Sequence, residues 1–136
     1  MRKIVAACGV ALTLAAASTP AGPPHSPEAQ AKLDKLLNGR VAGEQRACMP
    51  VDSTKSAIAI DESTIVFRDG PRIWLNNLRA GNGCSMIGHP YAMETESHVR
   101  QVCSGTTINV LDLSEAGGGA AVGACVLGDF VLYSKP

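Results

Sequence analysis

Four cysteines constrain the fold of this chain more than any other feature. They are Cys48, Cys84, Cys103 and Cys125, and they remain once an N-terminal leader that contains Cys8 is set aside. An even number of cysteines in an exported chain indicates disulfide bonds, because the periplasm and the extracellular space are oxidising. We therefore predict a small domain that is held together by two disulfide bonds.

The leader has the three parts of a secretory signal peptide. Arg2 and Lys3 form a basic start, residues 4–17 are a run of small and apolar residues, and small residues precede Ser18 where a signal peptidase would cleave. The run is shorter than the about 20 residues that a membrane-spanning helix needs. We predict a signal peptide over residues 1–21, no retained transmembrane segment, and a periplasmic or secreted protein.

The charge of the remaining chain excludes some classes of partner. Loss of Arg2 and Lys3 reduces the basic residues from 12 to 10 against 12 acids, which gives a net charge of −2. Nucleic-acid binding needs a basic face, and no run of like charges suggests binding to a membrane surface. The sequence does not identify a partner, and another envelope protein is one candidate. The length beyond the leader, about 115 residues, predicts one domain.

That domain is predicted to begin with a helix. Residues 22–26 are rich in proline and read as a linker, with the domain over 27–136. Ser26 followed by Pro27 is typical of a helix start, and Asn38 followed by glycine is typical of a helix end. Between them, apolar residues share one face at helical spacing: Ala29, Leu33, Leu36 and Leu37.

The rest of the chain changes to the period of two that is typical of strands. Six strands are expected, near residues 57–60, 64–67, 72–76, 91–97, 106–113 and 121–133. The fold class is therefore mainly β: a small antiparallel sheet or barrel of about six strands, with the helix over one end or an open edge.

The sequences around the cysteines resemble a known family. The segments that carry the resemblance are Gly39–Glu44, Arg46–Pro50, Thr64–Phe67, Gly83–Cys84, Val102–Thr106 and Cys125–Tyr133. They are similar to small exported four-cysteine proteins of Gram-negative bacteria that are classed as a domain of unknown function. Thr106 stands where that family would have an acid. The resemblance implies an exported domain and no particular activity.

Strand order predicts how the cysteines pair. Four cysteines allow three connectivities. If the six strands form an up-and-down meander, Cys48 and Cys103 lie at one end of it, and Cys84 and Cys125 lie at the other. Because bridged Cα atoms must lie within about 7 Å, this topology predicts Cys48–Cys103 and Cys84–Cys125. A Greek-key crossover would place the cysteines at different ends of the sheet and leave their pairing open.

A few polar side chains could form a chemical site. Asp112 and Asp129 flank the last two strands, and paired carboxylates can perform acid–base catalysis. His89 and His98 could join nearby acids to hold a metal ion, although both also read as ordinary loop histidines. No complete catalytic, metal or cofactor motif is present, so no cofactor is expected. Asp129 also suits hydrogen bonding to backbone N–H groups in a turn.

Trp74 is the remaining candidate for a binding residue. It lies on the strand face opposite Ile73 and Leu75. It would form an apolar binding patch if that face were exposed, or it would be buried beneath the N-terminal helix, which we favour.

These observations favour a non-catalytic structural or interaction module. The main alternative is a small periplasmic hydrolase or metal-dependent enzyme that uses Asp112, Asp129 and a histidine. A weaker alternative is a carrier of an apolar ligand, which would need a cavity inside a barrel. The first alternative requires those side chains to converge in one pocket.

Overall fold

The fold is taken from a computed structural model, which describes residues 22–88, 90–95 and 100–136. One α-helix and eleven strands occur in these ranges. In chain order they are α1 (Pro27–Leu37), β1 (Val41–Arg46), β2 (Cys48–Pro50), β3 (Ala57–Asp61), β4 (Thr64–Asp69), β5 (Arg72–Asn77), β6 (Ala80–Asn82), β7 (Tyr91–Glu94), β8 (Gln101–Cys103), β9 (Thr107–Asp112), β10 (Ala120–Val126) and β11 (Phe130–Ser134). Two 3₁₀ helices cover Val51–Lys55 and Cys84–Met86.

The strands form three antiparallel sheets. The large sheet has the order β1-β11-β5-β4-β3, a second sheet has the order β6-β10-β9-β7, and β2 pairs with β8. The prediction of a mainly β, antiparallel fold with one helix is confirmed. The prediction of about six strands in one sheet or barrel is wrong, because the described residues form eleven strands in three sheets without a closed barrel.

Two features explain why the sequence did not predict β1, β2, β6 and β8. Three of them, β2, β6 and β8, are only three residues long, so they show no periodicity. In β1 every residue is exposed, so no alternation of apolar and polar residues marks it.

The predicted strand over residues 121–133 is interrupted at Gly128. The buried Asn76 side chain accepts a hydrogen bond from the Gly128 N–H (2.9 Å) and donates one to its carbonyl oxygen (2.7 Å). A Cβ atom at Gly128 would collide with the carbonyl oxygen of Asn77. The chain therefore leaves one sheet after β10 and enters the other as β11.

The helix was predicted correctly at both ends. The Ser26 hydroxyl accepts a hydrogen bond from the Ala29 N–H at the helix start, and Gly39 has a positive φ of 70° just beyond its end. Ala29 and Leu33 are buried. They lie on a face of the large sheet, not on an end or an edge, because that face carries the apolar residues that need a cover.

The large sheet has an apolar core on each of its faces. Its inner face packs with residues from the two smaller sheets in a cluster that includes Ile65, Phe67, Trp74 and Phe130. Its outer face packs with α1 through Ile60, Val66, Ile73 and Leu75. Successive residues of a strand lie on opposite faces of a sheet. The faces that the sequence predicted for the residues of β4 and β5 are therefore confirmed.

Two disulfide bonds link the elements around the inner core. Cys48 pairs with Cys103 across β2 and β8, and Cys84 pairs with Cys125 of β10, with Cα–Cα distances of 3.9 and 6.3 Å. These are the pairs that the sequence argument selected. The meander on which that argument rested is wrong, since β11 lies between β1 and β5.

No helix in the described ranges is long and apolar enough to cross a membrane.

Candidate functional site

The proline-rich residues 22–26, which we call the strap, lie against the domain. The strap has no regular secondary structure and leads directly into α1. At its start, a Cβ atom on Gly22 would lie 3.3 Å from the side-chain nitrogen of Asn77. At its other end, the His25 side chain is only 7% exposed. A segment that the sequence described as a linker therefore contributes side chains to a structured region.

His25 is held by a carboxylate at the end of β3. Its Nδ1 atom lies 2.5 Å from Oδ2 of Asp61. The other carboxylate oxygen accepts hydrogen bonds from the N–H (2.8 Å) and the hydroxyl (2.7 Å) of Ser63. Asp61 thus stabilises the β3–β4 turn and also binds the His25 side chain of the strap.

A second pair of hydrogen-bonded side chains lies beside this turn. The hydroxyl of Thr64, which is fully buried, donates to Oδ1 of Asn77 at 3.0 Å. The Ser63 and Thr64 hydroxyls are 3.4 Å apart, but each has one proton and already donates it, to Asp61 and to Asn77. Asp61 therefore orients His25, and Thr64 separately orients Asn77.

His25 and Asn77 both line a cavity, which we call the strap pocket. It has a volume of about 400 Å³ and is lined by residues 22–25, Gln30, Leu33, Leu75 and Asn77. The volume falls in the range of small-ligand sites, roughly 300–1,000 Å³. Apolar walls with a few oriented polar groups are also typical of such sites.

The ionisation of Asp61 determines the proton on His25. Burial raises the pKa of Asp61, but hydrogen bonds from His25 and Ser63 outweigh this effect and hold the pKa below its usual value. Asp61 is therefore a carboxylate near neutral pH and accepts hydrogen bonds only. Nδ1 of His25 must carry a proton, so Nε2 is the nitrogen that is left for a ligand.

The residue types His25, Asp61 and Ser63 do not form a catalytic triad. In a triad the histidine lies between the serine and the acid, so that it can take the hydroxyl proton. Here Asp61 lies in the middle, and the Ser63 hydroxyl donates to the carboxylate. This arrangement holds a turn and orients His25 without activating Ser63 as a nucleophile.

Asp112, predicted as part of a polar site, holds the β9–β10 turn. Its carboxylate accepts a hydrogen bond from the Ser114 N–H (2.9 Å), and a Cβ atom on Gly117 would collide with it. The side chain and the N–H of Ser114 lower the pKa of Asp112. A lowered pKa moves a carboxylate away from the neutral range where general acids and bases work best.

Asp129, the second predicted carboxylate, contacts β1. It accepts a hydrogen bond from the Gln45 side chain at 2.6 Å. The nearby Ser104 side chain and then Gln45 lower its pKa. The Ser104 hydroxyl is buried and forms no hydrogen bond of acceptable geometry with the described residues. The partner of Asp129 is thus a side chain and not the backbone N–H groups that the sequence suggested.

The two carboxylates do not converge. Asp112 is the last residue of β9. Asp129 follows the last residue of β10, which pairs with Thr107 at the opposite end of β9. Five residues of strand, about 17 Å, separate Asp112 from Thr107. His89 and His98 lie outside the described residues. Within the described ranges, no three His, Cys, Asp or Glu side chains are grouped as a metal site would require.

Trp74 does not form an exposed binding patch. Its side chain is 2% exposed and meets the ring of Phe130 edge-on, with centroids 6.4 Å apart. Burial was favoured, but the location beneath the helix was wrong. The helix covers Ile73 and Leu75, and alternation sends Trp74 to the inner face.

Two other cavities lie near β7. One, of about 660 Å³, borders Pro90–Ala92 and Leu113–Glu115, and the other, of about 340 Å³, borders Thr54, Lys55 and Met93. Among the described residues that line them, no two side chains of one cavity are each hydrogen-bonded to another side chain, as His25 and Asn77 are. The strap pocket is therefore the better candidate site.

Sequence reasoning missed the strap pocket. His25 and Asp61 are 36 residues apart and show no shared motif. The only local signal was a histidine between prolines and a helix start, which is also typical of a linker.

Comparison with protein-family models, with curated proteins and with solved structures finds no match to this chain. The resemblance to the exported four-cysteine family stays a prediction.

Proposed function

We propose that this protein is an exported, disulfide-stabilised domain that acts by binding a ligand in the strap pocket and not by catalysis. The observation that carries the proposal is a cavity lined by two polar side chains that are each held by another side chain, His25 by Asp61 and Asn77 by the buried Thr64. Fixing the orientation of polar side chains at a cavity is useful for recognition, since a preorganised site loses less entropy on binding.

The disulfide bonds support the exported location. Cys48–Cys103 and Cys84–Cys125 are consistent with an extracellular or periplasmic protein, because reducing compartments keep thiols free. The signal peptide is proposed from the leader sequence alone.

The placement of the acids supports binding over hydrolysis. Asp112 and Asp129 belong to different turns and have lowered pKa values. The Ser63 hydroxyl donates to the Asp61 carboxylate, which its lowered pKa makes a weak base, and not to a histidine. The alternative of an apolar-ligand carrier required a cavity inside a barrel. The inner face of the large sheet is instead filled by packed side chains that include Phe67, Trp74 and Phe130.

A thermal-shift screen of the exported, oxidised protein tests the proposal. Peptides, sugars, lipids and metal ions are screened against the wild type, and hits are repeated with Asn77→Asp. That variant keeps the oxygen that accepts from Thr64 and loses the side-chain N–H donors. Asn109→Asp, at an exposed position on β9, is the control for the added charge.

We expect at least one compound to raise the Tm of the wild type and the control, to lose its effect on Asn77→Asp, and to be recovered unchanged by mass spectrometry. A compound that is converted to product by the wild type, but not by Asp112→Asn or Asp129→Asn, would establish the hydrolase instead. Hits that act equally on all variants would place binding elsewhere.

A further inference from the structure

We infer that the strap pocket takes a neutral, amide-bearing ligand with an apolar body, the chemistry of a short peptide segment. This inference rests on the proposed function, since it names the ligand class of the same pocket. It follows from which polar atoms at the pocket are already used and which are left.

The walls of the pocket are apolar on two sides. Pro23 and Pro24 of the strap form one side, and Leu33 of α1 and Leu75 of β5 contribute from the helix and the sheet. Leu33 and Leu75 also belong to the outer core, so their positions are fixed by packing. An apolar group of a ligand would be removed from water here, which is favourable in proportion to its buried area.

Three polar side chains at the pocket have one hydrogen-bonding side occupied by a described residue and another side without a described partner. Oδ1 of Asn77 accepts from Thr64, which leaves its Nδ2 as a donor. Nε2 of Gln30 donates to Asp34 at 2.7 Å, which leaves its Oε1 as an acceptor. Nδ1 of His25 is engaged by Asp61, which leaves Nε2.

The remaining groups therefore include a donor, Nδ2 of Asn77, and an acceptor, Oε1 of Gln30. None of the described lining residues is an aspartate, glutamate, lysine or arginine, and His25 is already paired with Asp61. A charged ligand group would lose water here without gaining an unpaired opposite charge, which is costly. An amide suits the site because its carbonyl accepts from Asn77 while its N–H donates to Gln30.

Three small molecules with the same apolar body separate neutral from charged ligands. N-acetyl-L-leucinamide is neutral, N-acetyl-L-leucine carries a carboxylate, and L-leucinamide carries an ammonium group. Each is titrated near neutral pH into the ¹⁵N-labelled, exported, oxidised protein, and the side-chain amide signals of Asn77 and Gln30 are followed by NMR.

We expect N-acetyl-L-leucinamide to shift both signals with saturation, and the two charged molecules to bind at least about tenfold more weakly. Asn77→Asp should weaken binding of the neutral amide by about tenfold or more, whereas Asn109→Asp should leave it unchanged. If Asn77→Asp fails to fold, Gln30→Ala on the exposed side of α1 replaces it and should also weaken binding.

Equal or tighter binding of either charged molecule, or failure of all three to shift these signals, would overturn the amide assignment. The proposed function would still stand if the thermal-shift screen had found another class of ligand that depends on Asn77. If neither the thermal-shift screen nor the NMR titration finds binding that depends on Asn77, the strap pocket is not a binding site.

Discussion

The two faces of the large sheet are covered in different ways. The inner face packs against strands that are linked by two disulfide bonds, and it buries Phe67, Trp74 and Phe130 at 0–2% exposure. The outer face is covered by the 11-residue helix α1 and the strap. Few bonds hold that cover: the Lys32 ammonium donates to the Ala59 carbonyl, and His25 pairs with Asp61.

This difference separates stability from function. Aromatic packing and covalent links make the inner face the source of most of the stability. The outer face has a smaller apolar core, and the candidate pocket lies at its margin. Binding sites are commonly drawn from the less stable parts of a fold, since those parts can adjust to a ligand.

Truncation of the inner core should have the largest effect. Phe130→Ala removes a fully buried ring that contacts Phe67 and Trp74, so it should lower the free energy of unfolding by about 3–5 kcal/mol in urea titrations. The control Val122→Ala, at an exposed position, should change it by less than about 0.5 kcal/mol. A loss below about 1 kcal/mol for Phe130→Ala would contradict the role of the inner face.

Loss of one disulfide bond should rank second. The double variant Cys84→Ala with Cys125→Ala should lose about 2–4 kcal/mol, because its unfolded chain is no longer restricted by a bridge across 41 residues. Denaturation in the presence and absence of a reductant checks the assignment. The wild type should lose stability on reduction, and by more than the double variant, which keeps only Cys48–Cys103. An equal loss in both proteins would mean that Cys84–Cys125 contributes nothing.

Truncation of the outer core should cost less. Leu33→Ala should lower the free energy of unfolding by about 2 kcal/mol, at the low end for leucine, because a surface helix can move to fill the space. Hydrogen exchange should accelerate at α1 amides and not in β4 or β5. Lys35→Ala, an exposed position on the same helix, is the matched control. A cost equal to that of Phe130→Ala would make the two faces equivalent.

The smallest effect should come from the bond between the strap and the sheet. Asp61→Asn weakens the contact with His25 and should cost about 1 kcal/mol at neutral pH. The folded pKa of Asp61 is lowered, so the unfolded state binds more protons as the pH falls through that range. The stabilisation is therefore present above the unfolded pKa and lost as the pH falls through the folded value.

Urea titrations of wild type and Asp61→Asn from acid to neutral pH measure this difference. The two curves should be separated by a constant amount near neutral pH and should converge in acid. Asp52→Asn, at an exposed position, should differ from the wild type by less than about 0.5 kcal/mol near neutral pH. A separation that grows in acid would contradict the sign.

Local features of the fold could be predicted, and contacts between distant segments could not. The boundaries of α1 follow from Ser26, Pro27 and Gly39, because caps and glycine conformations act within a few residues. The faces of β4 and β5 follow from alternation alone. The strap pocket could not be predicted, because His25 contacts a residue 36 positions away and lines the pocket with Leu75 and Asn77, which are farther still.

Local sequence is sufficient to predict the cysteine framework, the helix and the alternation that gives each strand two faces. The strand order depends on long-range contacts, since the insertion of β11 between β1 and β5 requires pairing across the whole chain. Long-range contacts also decide that Gly128 separates β10 from β11, because the close approach of Asn77 is a contact between segments 51 residues apart. Local conformational preferences act along the chain, whereas packing selects among the long-range arrangements that those preferences permit.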